Sequence, residues 1–225
     1  MKKIILIAGP SGAGKTTISD YLNEKYDIPR VLTHTTRPMR VGEKQNVSYH
    51  FETDDSFKHL HFFEHVKYGS YQYGSSREAL NLAWEKHDLV SLIVDIQGVY
   101  SYIKQLGDKV YFLYVTTSTK EELKERLLKR GDDPEKIKER LSGSELNLLP
   151  ADLKQYAHVI VNDNLNKTKE KLNSIISMLE EDYALRFLQI ISPFAMFLNM
   201  MVVLLKHSCN IRTLLYKTSV DPRDH

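Results

Sequence analysis

Cysteine is all but absent. The 225-residue chain carries one, Cys209, which excludes an intramolecular disulfide framework and fits a reducing compartment, the cytoplasm. An excess of one charge is lacking too: 31 Lys and Arg stand against 29 Asp and Glu, a formal net charge of +2. Bulk charge therefore gives no reason to expect a nucleic-acid partner, and any strongly cationic site must be local. Internal repeats and low-complexity tracts are missing. What remains, 42% hydrophobic and 27% charged residues, is the make-up of a soluble globular protein. The length suits one well-buried α/β domain with inserted lobes, or at most two small domains.

Residues 9–16 read Gly-Pro-Ser-Gly-Ala-Gly-Lys-Thr, directly after the apolar run Ile4–Ala8. A buried strand feeding a glycine-rich turn and then a helix is the context of a phosphate-binding loop. Gly9, Gly12 and Gly14 let successive backbone N–H groups converge on one concavity. Lys15 adds a mobile positive charge for the outer phosphates, Thr16 a hydroxyl for Mg²⁺, and the helix N-terminus its dipole. A plain strand–helix turn is the simpler reading; the strand before the loop and the helix from Thr17 onward favour nucleotide binding. Lys2-Lys3 and the short apolar run resemble the start of an export signal, but cleavage at Gly9-Pro10 would destroy the loop, so none is expected.

Strand-like and helical patterns alternate onward: strand Ile4–Ala8, helix Thr16–Lys25, strand Leu89–Asp95, helix Val99–Leu106, strand Val110–Val115, helix Lys120–Lys129, strand Val159–Val161 and helix Lys167–Glu180. Such alternation predicts a parallel sheet covered on both faces. Residues 31–75 break the rhythm and read as an inserted lobe of short irregular or antiparallel strands. Residues 130–140 form a charged connector entering a helix with Asp133 as N-cap and Pro134 in its first position.

Inside the insertion, Thr33-His34-Thr35-Thr36-Arg37-Pro38-Met39-Arg40-Val41-Gly42-Glu43, then Tyr49-His50-Phe51, resembles the guanylate kinase family, which carries Ser-x-x-Thr-Arg-x-x-Arg-x-Gly-Glu followed by Tyr-x-Phe. Phe62-Phe63-Glu64, Tyr73-Gly74-Ser75, Asp95-Ile96-Gln97-Gly98-Val99, Arg126-Leu127, Arg130-Gly131, Arg140-Leu141 and Ile160-Val161-Asn162-Asp163 follow in the family's order, from about residue 3 to about 183. The resemblance implies a P-loop nucleoside monophosphate kinase fold: an α/β core (1–30, 79–125, 146–183), a GMP-binding lobe (31–78), a helical lid (126–145) and an extension (184–225) outside the family. It implies ATP-dependent phosphorylation of GMP and dGMP in purine metabolism, in a cytoplasmic monomer or homodimer. ATP would sit on Gly9, Pro10, Ser11, Gly12, Ala13, Gly14, Lys15, Thr16 and Thr17, with Arg126, Arg130 and Asn162. Mg²⁺ would sit near Thr16, with Asp95 nearby through water. GMP would take Thr33, Arg37, Arg40, Glu43, Tyr49, Glu64, Tyr73, Ser75 and Asp95; Lys15, Arg37, Arg130 and Arg140 would act on the transfer.

The residue chemistry agrees. Two guanidiniums bind a dianionic phosphate in forked geometry. A carboxylate such as Glu64 takes the N1–H and N2–H₂ donors of guanine, while hydroxyls at Thr33 and Ser75 satisfy O6. Ser75 has a rival role, since Ser75-Ser76-Arg77-Glu78 reads as a capping box, and Asp95 can cap a helix. Ile93 stands where the family has an acidic residue, Thr33 replaces the commoner serine, and Asn46 replaces a glycine, a position asparagine tolerates in left-handed backbone. His61-Phe62-Phe63-Glu64-His65 matches a zinc-site spacing if helical, with His59 close by; packing or solvated histidines are the plainer reading. A ribose 1,5-bisphosphate kinase and a non-catalytic protein-binding module remain as alternatives. Phe187–Leu205 just reaches spanning length, but Gln189, Pro193 and Asn199 argue against a membrane helix. A helix packed on the domain or on a second copy, or a poorly ordered extension, stays open.

Overall fold

Strand β1 (Lys3–Ala8) is buried at every position, as a central strand covered on both faces must be. In the computed structural model, which describes residues 2–142 and 148–182, it pairs in parallel with β6 (Leu89–Ile93) and β7 (Val110–Thr116), and β7 pairs in parallel with β8 (Ala157–Val161). The order is β6-β1-β7-β8. Ile4, Leu6 and Ala8 face one side and enter a core with Leu80 and Trp84 of α3 (Arg77–Lys86) and Val99 and Tyr102 of α4 (Ile96–Leu106). The other face meets α1 (Lys15–Tyr26), whose buried Ser19 hydroxyl lies 3.2 Å from that of Ser91. After β7 come α5 (Lys120–Lys129) and α6 (Pro134–Ser142); a further helix, α7, covers 165–182.

β6 ends at Ile93, two residues short of the expected Asp95, and α4 begins at Ile96 instead of Val99. The cause is Asp95: as N-cap its Oδ1 accepts from Gly98 N at 2.7 Å, which draws Ile96–Gly98 into the first turn. Gly98 suits that turn because a Cβ there would stand 3.0 Å from Val94 Cβ. Asp133 caps α6 through the backbone N–H groups of Glu135 and Lys136, with Pro134 first in the helix, as expected.

The insertion carries a short helix, α2 (Asp54–Lys58), and a second sheet, β3-β2-β5-β4, built from β2 (His34–Thr35), β3 (His50–Phe51), β4 (Phe62–Tyr68) and β5 (Tyr71–Ser76). β2 runs parallel to β3 and antiparallel to β5. Because Phe62–Tyr68 is a strand, the spacing of His61 and His65 does not form one turn of helix, and His61 Nδ1 instead meets Glu78 at 2.6 Å. No cluster of metal-ligating side chains occurs among the described residues. α3 is capped by Ser76, whose Oγ accepts from Ala79 N at 3.1 Å; with alanine in the third helical position the expected capping box on Ser75 does not form.

A buried relay holds this lobe together. The Glu52 carboxylate can only accept, so His34 Nδ1 donates to its Oε1 at 2.9 Å, and in that tautomer Nε2 accepts from Ser76 Oγ at 2.8 Å. His34 also stacks on His50, 4.7 Å between centroids. His50 in turn bonds Asn46, whose φ of 60° is the left-handed conformation expected there.

The chain divides into two compact units, residues 1–171 and 172–225. Phe187–Leu205 lies outside the described residues, among which no helix is long and apolar enough to cross a membrane. For the relay, His34→Ala is expected to cost about 2–4 kcal/mol in denaturant unfolding, because it strands a buried hydroxyl and a half-buried carboxylate and leaves a void. A loss below about 0.5 kcal/mol would show that the relay contributes little to the fold.

Candidate active site

β1 ends against the neighbouring strand. Gly9 has φ 139°, and a Cβ there would stand 1.9 Å from the Val115 carbonyl oxygen, so the chain turns into the loop only with glycine. Gly14, the N-cap of α1, has φ 95°, and a Cβ would meet Asn162 Nδ2 at 2.3 Å. Between them Lys15 folds back, its Nζ donating to the carbonyls of Gly9 at 2.7 Å and Pro10 at 2.8 Å. Burial and the nearby Arg130 guanidinium lower its pKa to about 8.

A 510 Å³ cavity runs along this loop, lined by Ser11, Gly12, Lys15, Thr16, Arg126 and Arg130 among others. Arg126 is aimed by Glu122 (Nε to Oε1, 2.8 Å) and by the Asn162 carbonyl (2.8 Å). Arg130 forks onto Asp132 at 2.7 and 2.5 Å, and Arg140 reaches the same carboxylate at 2.7 Å. The two guanidiniums hold the Asp132 carboxyl below its ordinary range, Arg130 contributing most. Asp132 thus organises two predicted site arginines, a role the sequence reading missed; in a charged connector nothing singled it out. Asn162 is 5% exposed. Its Nδ2 donates to the Ala13 carbonyl at 2.8 Å and its Oδ1 accepts from Thr168 at 2.9 Å. It supports the loop from below and does not line the cavity, so the expected nucleotide contact does not follow from its position.

A second cavity, 540 Å³, is lined by Thr16, Arg30, Thr33, Ser48, Tyr49 and Ile93 among others. Thr16 lines both. Of these, Arg30 and Ser48 carried no motif that marked them in sequence. Ile93 gives this wall a methyl surface.

At the lobe's edge Arg37 is 7% exposed. Its Nη1 and Nη2 fork end-on onto Glu43 at 2.9 and 2.8 Å, and Nη1 also donates to the Pro38 carbonyl at 2.8 Å. These bonds spend three of the five N–H donors of the guanidinium, and the Tyr73 hydroxyl bonds it as well. The Tyr49 ring lies under the guanidinium, 5.6 Å from centroid to Cζ, and Tyr73 stands beside it. Arg37 holds the Glu43 carboxyl down at about 2. Arg40 is solvent-exposed, its backbone N–H on Glu43 at 2.8 Å.

Deeper in, Ser75 is fully buried and donates to Glu64 Oε1 at 3.0 Å. Burial raises the Glu64 pKa, the Ser75 bond opposes the shift, and the charge of Asp95 adds to it. The predicted residues therefore gather into a phosphate-loop group, an Arg37–Glu43–Tyr49–Tyr73 group, and a Glu64–Ser75–Asp95 group. Arg140 is joined to the first through Asp132 and does not itself line the cavity.

Comparison with known proteins gives one family. The family model described as "Guanylate kinase" matches residues 1–179. A guanylate kinase of Clostridium perfringens is 37% identical over 182 residues, 77% of this chain and 82% of its own. One from Helicobacter hepaticus is 33% identical over 196 residues, covering 84% of this chain and 96% of its own. The crystal structure of guanylate kinase from Anaplasma phagocytophilum shares the fold, with a TM-score of 0.53 at 24% identity over 79% of this chain and 85% of that one.

The lowered Lys15 pKa makes a prediction about charge. In the nucleotide-free protein the Lys15 amine should titrate near 8, followed by NMR of a labelled side chain. Arg130→Ala, which removes a repelling cation, and ATP, which brings anions, should each move it upward. Titration at the ordinary 10.5 in the free protein would refute the burial-and-repulsion account.

Proposed function

The chain belongs to the guanylate kinase family, and we propose that it transfers the γ-phosphoryl group of ATP to GMP or dGMP, making ADP and GDP or dGDP. The observation that carries this reading is Thr16, shared by two cavities of similar size, one walled by the phosphate loop with Arg126 and Arg130, the other by Thr33 and Tyr49. Donor and acceptor phosphates placed in the two would meet at the head of α1. An oxygen of the GMP phosphate attacks the γ-phosphorus, the bond to the bridging oxygen breaks, and its electron pair leaves on ADP. The attacking phosphate is already ionised near neutral pH, so no side chain need act as base; the protein positions the groups and neutralises charge.

Lys15 exchanges two carbonyls for phosphate oxygens. Arg37 turns donors toward the GMP phosphate while Glu43 holds its other edge, and Arg40, Tyr49 and Tyr73 complete that site. Arg130 and Arg140 approach the transferring group, with Asp132 keeping them in place between turnovers. Glu64 takes the guanine N1–H and N2–H₂, and Thr33 and Ser75 serve O6. The oxygen donors suit Mg²⁺: the Thr16 hydroxyl is exposed at the junction, and Asp95 uses only Oδ1 in capping, leaving Oδ2 for a bound water. Bound there with ATP, Mg²⁺ would neutralise phosphate charge. The lobe 31–78 and lid 126–145 are read as the parts that close to exclude water.

The test is a coupled assay of ADP formation. GMP and dGMP should support turnover, with AMP, CMP and UMP at least ~100-fold poorer, because a site built to pair with polar edges rejects bases that leave it unpaired. Lys15→Ala should lower kcat by about 10³-fold with the fold retained. Arg40→Ala should raise the GMP KM at least ~10-fold and change the ATP KM little. Comparable turnover with AMP would end the guanine assignment, and turnover of ribose 1,5-bisphosphate in place of GMP would favour the sister activity. A chain ending at Tyr183 should keep most of the activity, as the family's landmarks all precede it.

A further inference from the structure

The cavity assigned to the acceptor is lined unevenly. Hydroxyls of Thr16, Thr33, Ser48 and Tyr49 and the methyl surface of Ile93 share it with a single charged side chain, Arg30. No carboxylate lines it, and neither do Arg37 and Arg40, the cations expected on the acceptor phosphate. Hydroxyls around one cation, with no anion to balance it, suit an anionic ligand.

Arg30 is placed there by the core and not by the lobe. Ser91 N–H donates to the Pro29 carbonyl and Val31 N–H to the Ser91 carbonyl, each at 2.8 Å. These bonds make Arg30 the parallel partner of Ser91 in β6. Partners in register share a face of the sheet, and neighbours along a strand take opposite faces. Ser91 faces α1, its hydroxyl against that of Ser19. Arg30 therefore leaves the sheet on the α1 side, toward Thr16 and Ile93, while Val31 enters the core on the other.

The other site arginines each hold a carboxylate: Arg37 has Glu43, Arg126 has Glu122, and Arg130 and Arg140 share Asp132. Arg30 is exposed, and among the described residues its guanidinium has no ion-pair or hydrogen-bond partner. All five of its N–H donors are open to a ligand. We propose that Arg30 binds the phosphate of the acceptor nucleotide from the core side, while Arg37 and Arg40 bind it from the lobe, and so holds it beside Thr16 for transfer. This inference rests on the reading of the cavity as the acceptor site.

The division of labour has a physical use. A guanidinium can take two phosphate oxygens at once, which fixes orientation as well as charge. Anchored through β6 to the sheet that also carries the phosphate loop, it gives the acceptor a reference point that does not move with the lobe. Both phosphates that meet at Thr16 are anionic, and a cation fixed between sheet and α1 offsets their repulsion.

Arg30→Met keeps the length of the side chain and removes its charge and donors. With ATP saturating, the KM for GMP and for dGMP should rise alike, by about 10-fold. Guanosine, which lacks the phosphate, should inhibit the variant and the wild type equally. The ATP KM and the thermal midpoint should stay where they are, since the side chain is exposed and unpaired. Arg30→Lys should recover part of the GMP KM, keeping charge without the fork. An unchanged GMP KM in Arg30→Met would overturn the proposal. So would a KM raised for GMP and not for dGMP, which marks a ribose contact, or guanosine inhibition weakened as much as GMP, which marks a contact to the nucleoside. If Arg30→Met fails to fold, Arg30→Lys decides: a GMP KM raised with guanosine inhibition unchanged supports the phosphate contact, and a wild-type GMP KM removes it. A wild-type chain that turns over neither GMP nor dGMP would remove the acceptor reading itself, and this inference with it.

Discussion

The amide of Asn162 reaches from the end of β8 to the phosphate loop, and the donor half of the molecule depends on that reach. Its Nδ2 holds the Ala13 carbonyl, its Oδ1 is fixed by Thr168, and its own carbonyl receives Arg126. One buried residue therefore sets the loop, the edge strand of the sheet and the first arginine of α5 in a common frame. The close approach explains why position 14 is glycine, since any Cβ would strike Nδ2 at 2.3 Å. At the other end of the loop, Gly9 slips past the Val115 carbonyl for the same reason. A loop pinned at both ends against β7 and β8 keeps its N–H groups aimed without a ligand, so little ordering has to be done when phosphates arrive.

The cations around this frame are not left to repel one another. Arg37 is occupied by Glu43, Arg130 and Arg140 by Asp132, Arg126 by Glu122 and a carbonyl. Each pairing holds the guanidinium oriented. The ion pairs of Arg130 and Arg140 are partly exposed and add little to stability; their value lies in orientation. Lys15 is the exception. It has only carbonyls, and burial and Arg130 push its pKa to about 8. The free site is thus short of negative charge in one place, where the outer phosphates of a nucleotide would fall.

Patterns that sequence can display were legible here. An apolar run into a glycine-rich turn located β1, the loop and α1 to within a residue, and Asp133-Pro134 marked the start of α6. The lobe was legible because Thr35, Thr36, Arg37, Arg40 and Glu43 lie close together in a specific spacing. What stayed hidden depends on contacts between distant segments. Asp132 gains its meaning from α6 returning to it, and His34 from Glu52 and Ser76, 18 and 42 residues away. The N-cap of α3 was misplaced by one residue because two serines in a row offer the same local signal. Only the pairing of β5 with both β2 and β4, which sends Ser76 to His34 and Ser75 to Glu64, decides between them.

That pairing also bears on how a base is chosen. Consecutive residues of a strand point to opposite faces, so Ser76 completes the buried relay while Ser75 turns to the carboxylate. The relay fixes β2 against β5 on one side, and the Glu64–Ser75 bond sits on the other. Ser75 on that second face is buried and Glu64 half-buried. In the proposed reading, selectivity comes less from what the right base gains than from what a wrong one leaves unsatisfied, because a carboxylate facing another acceptor loses water without gaining a partner. The raised pKa of Glu64 registers that condition before any ligand enters: the charge is already uncomfortable, and a base presenting two N–H donors relieves it, whereas a base presenting an acceptor makes it worse.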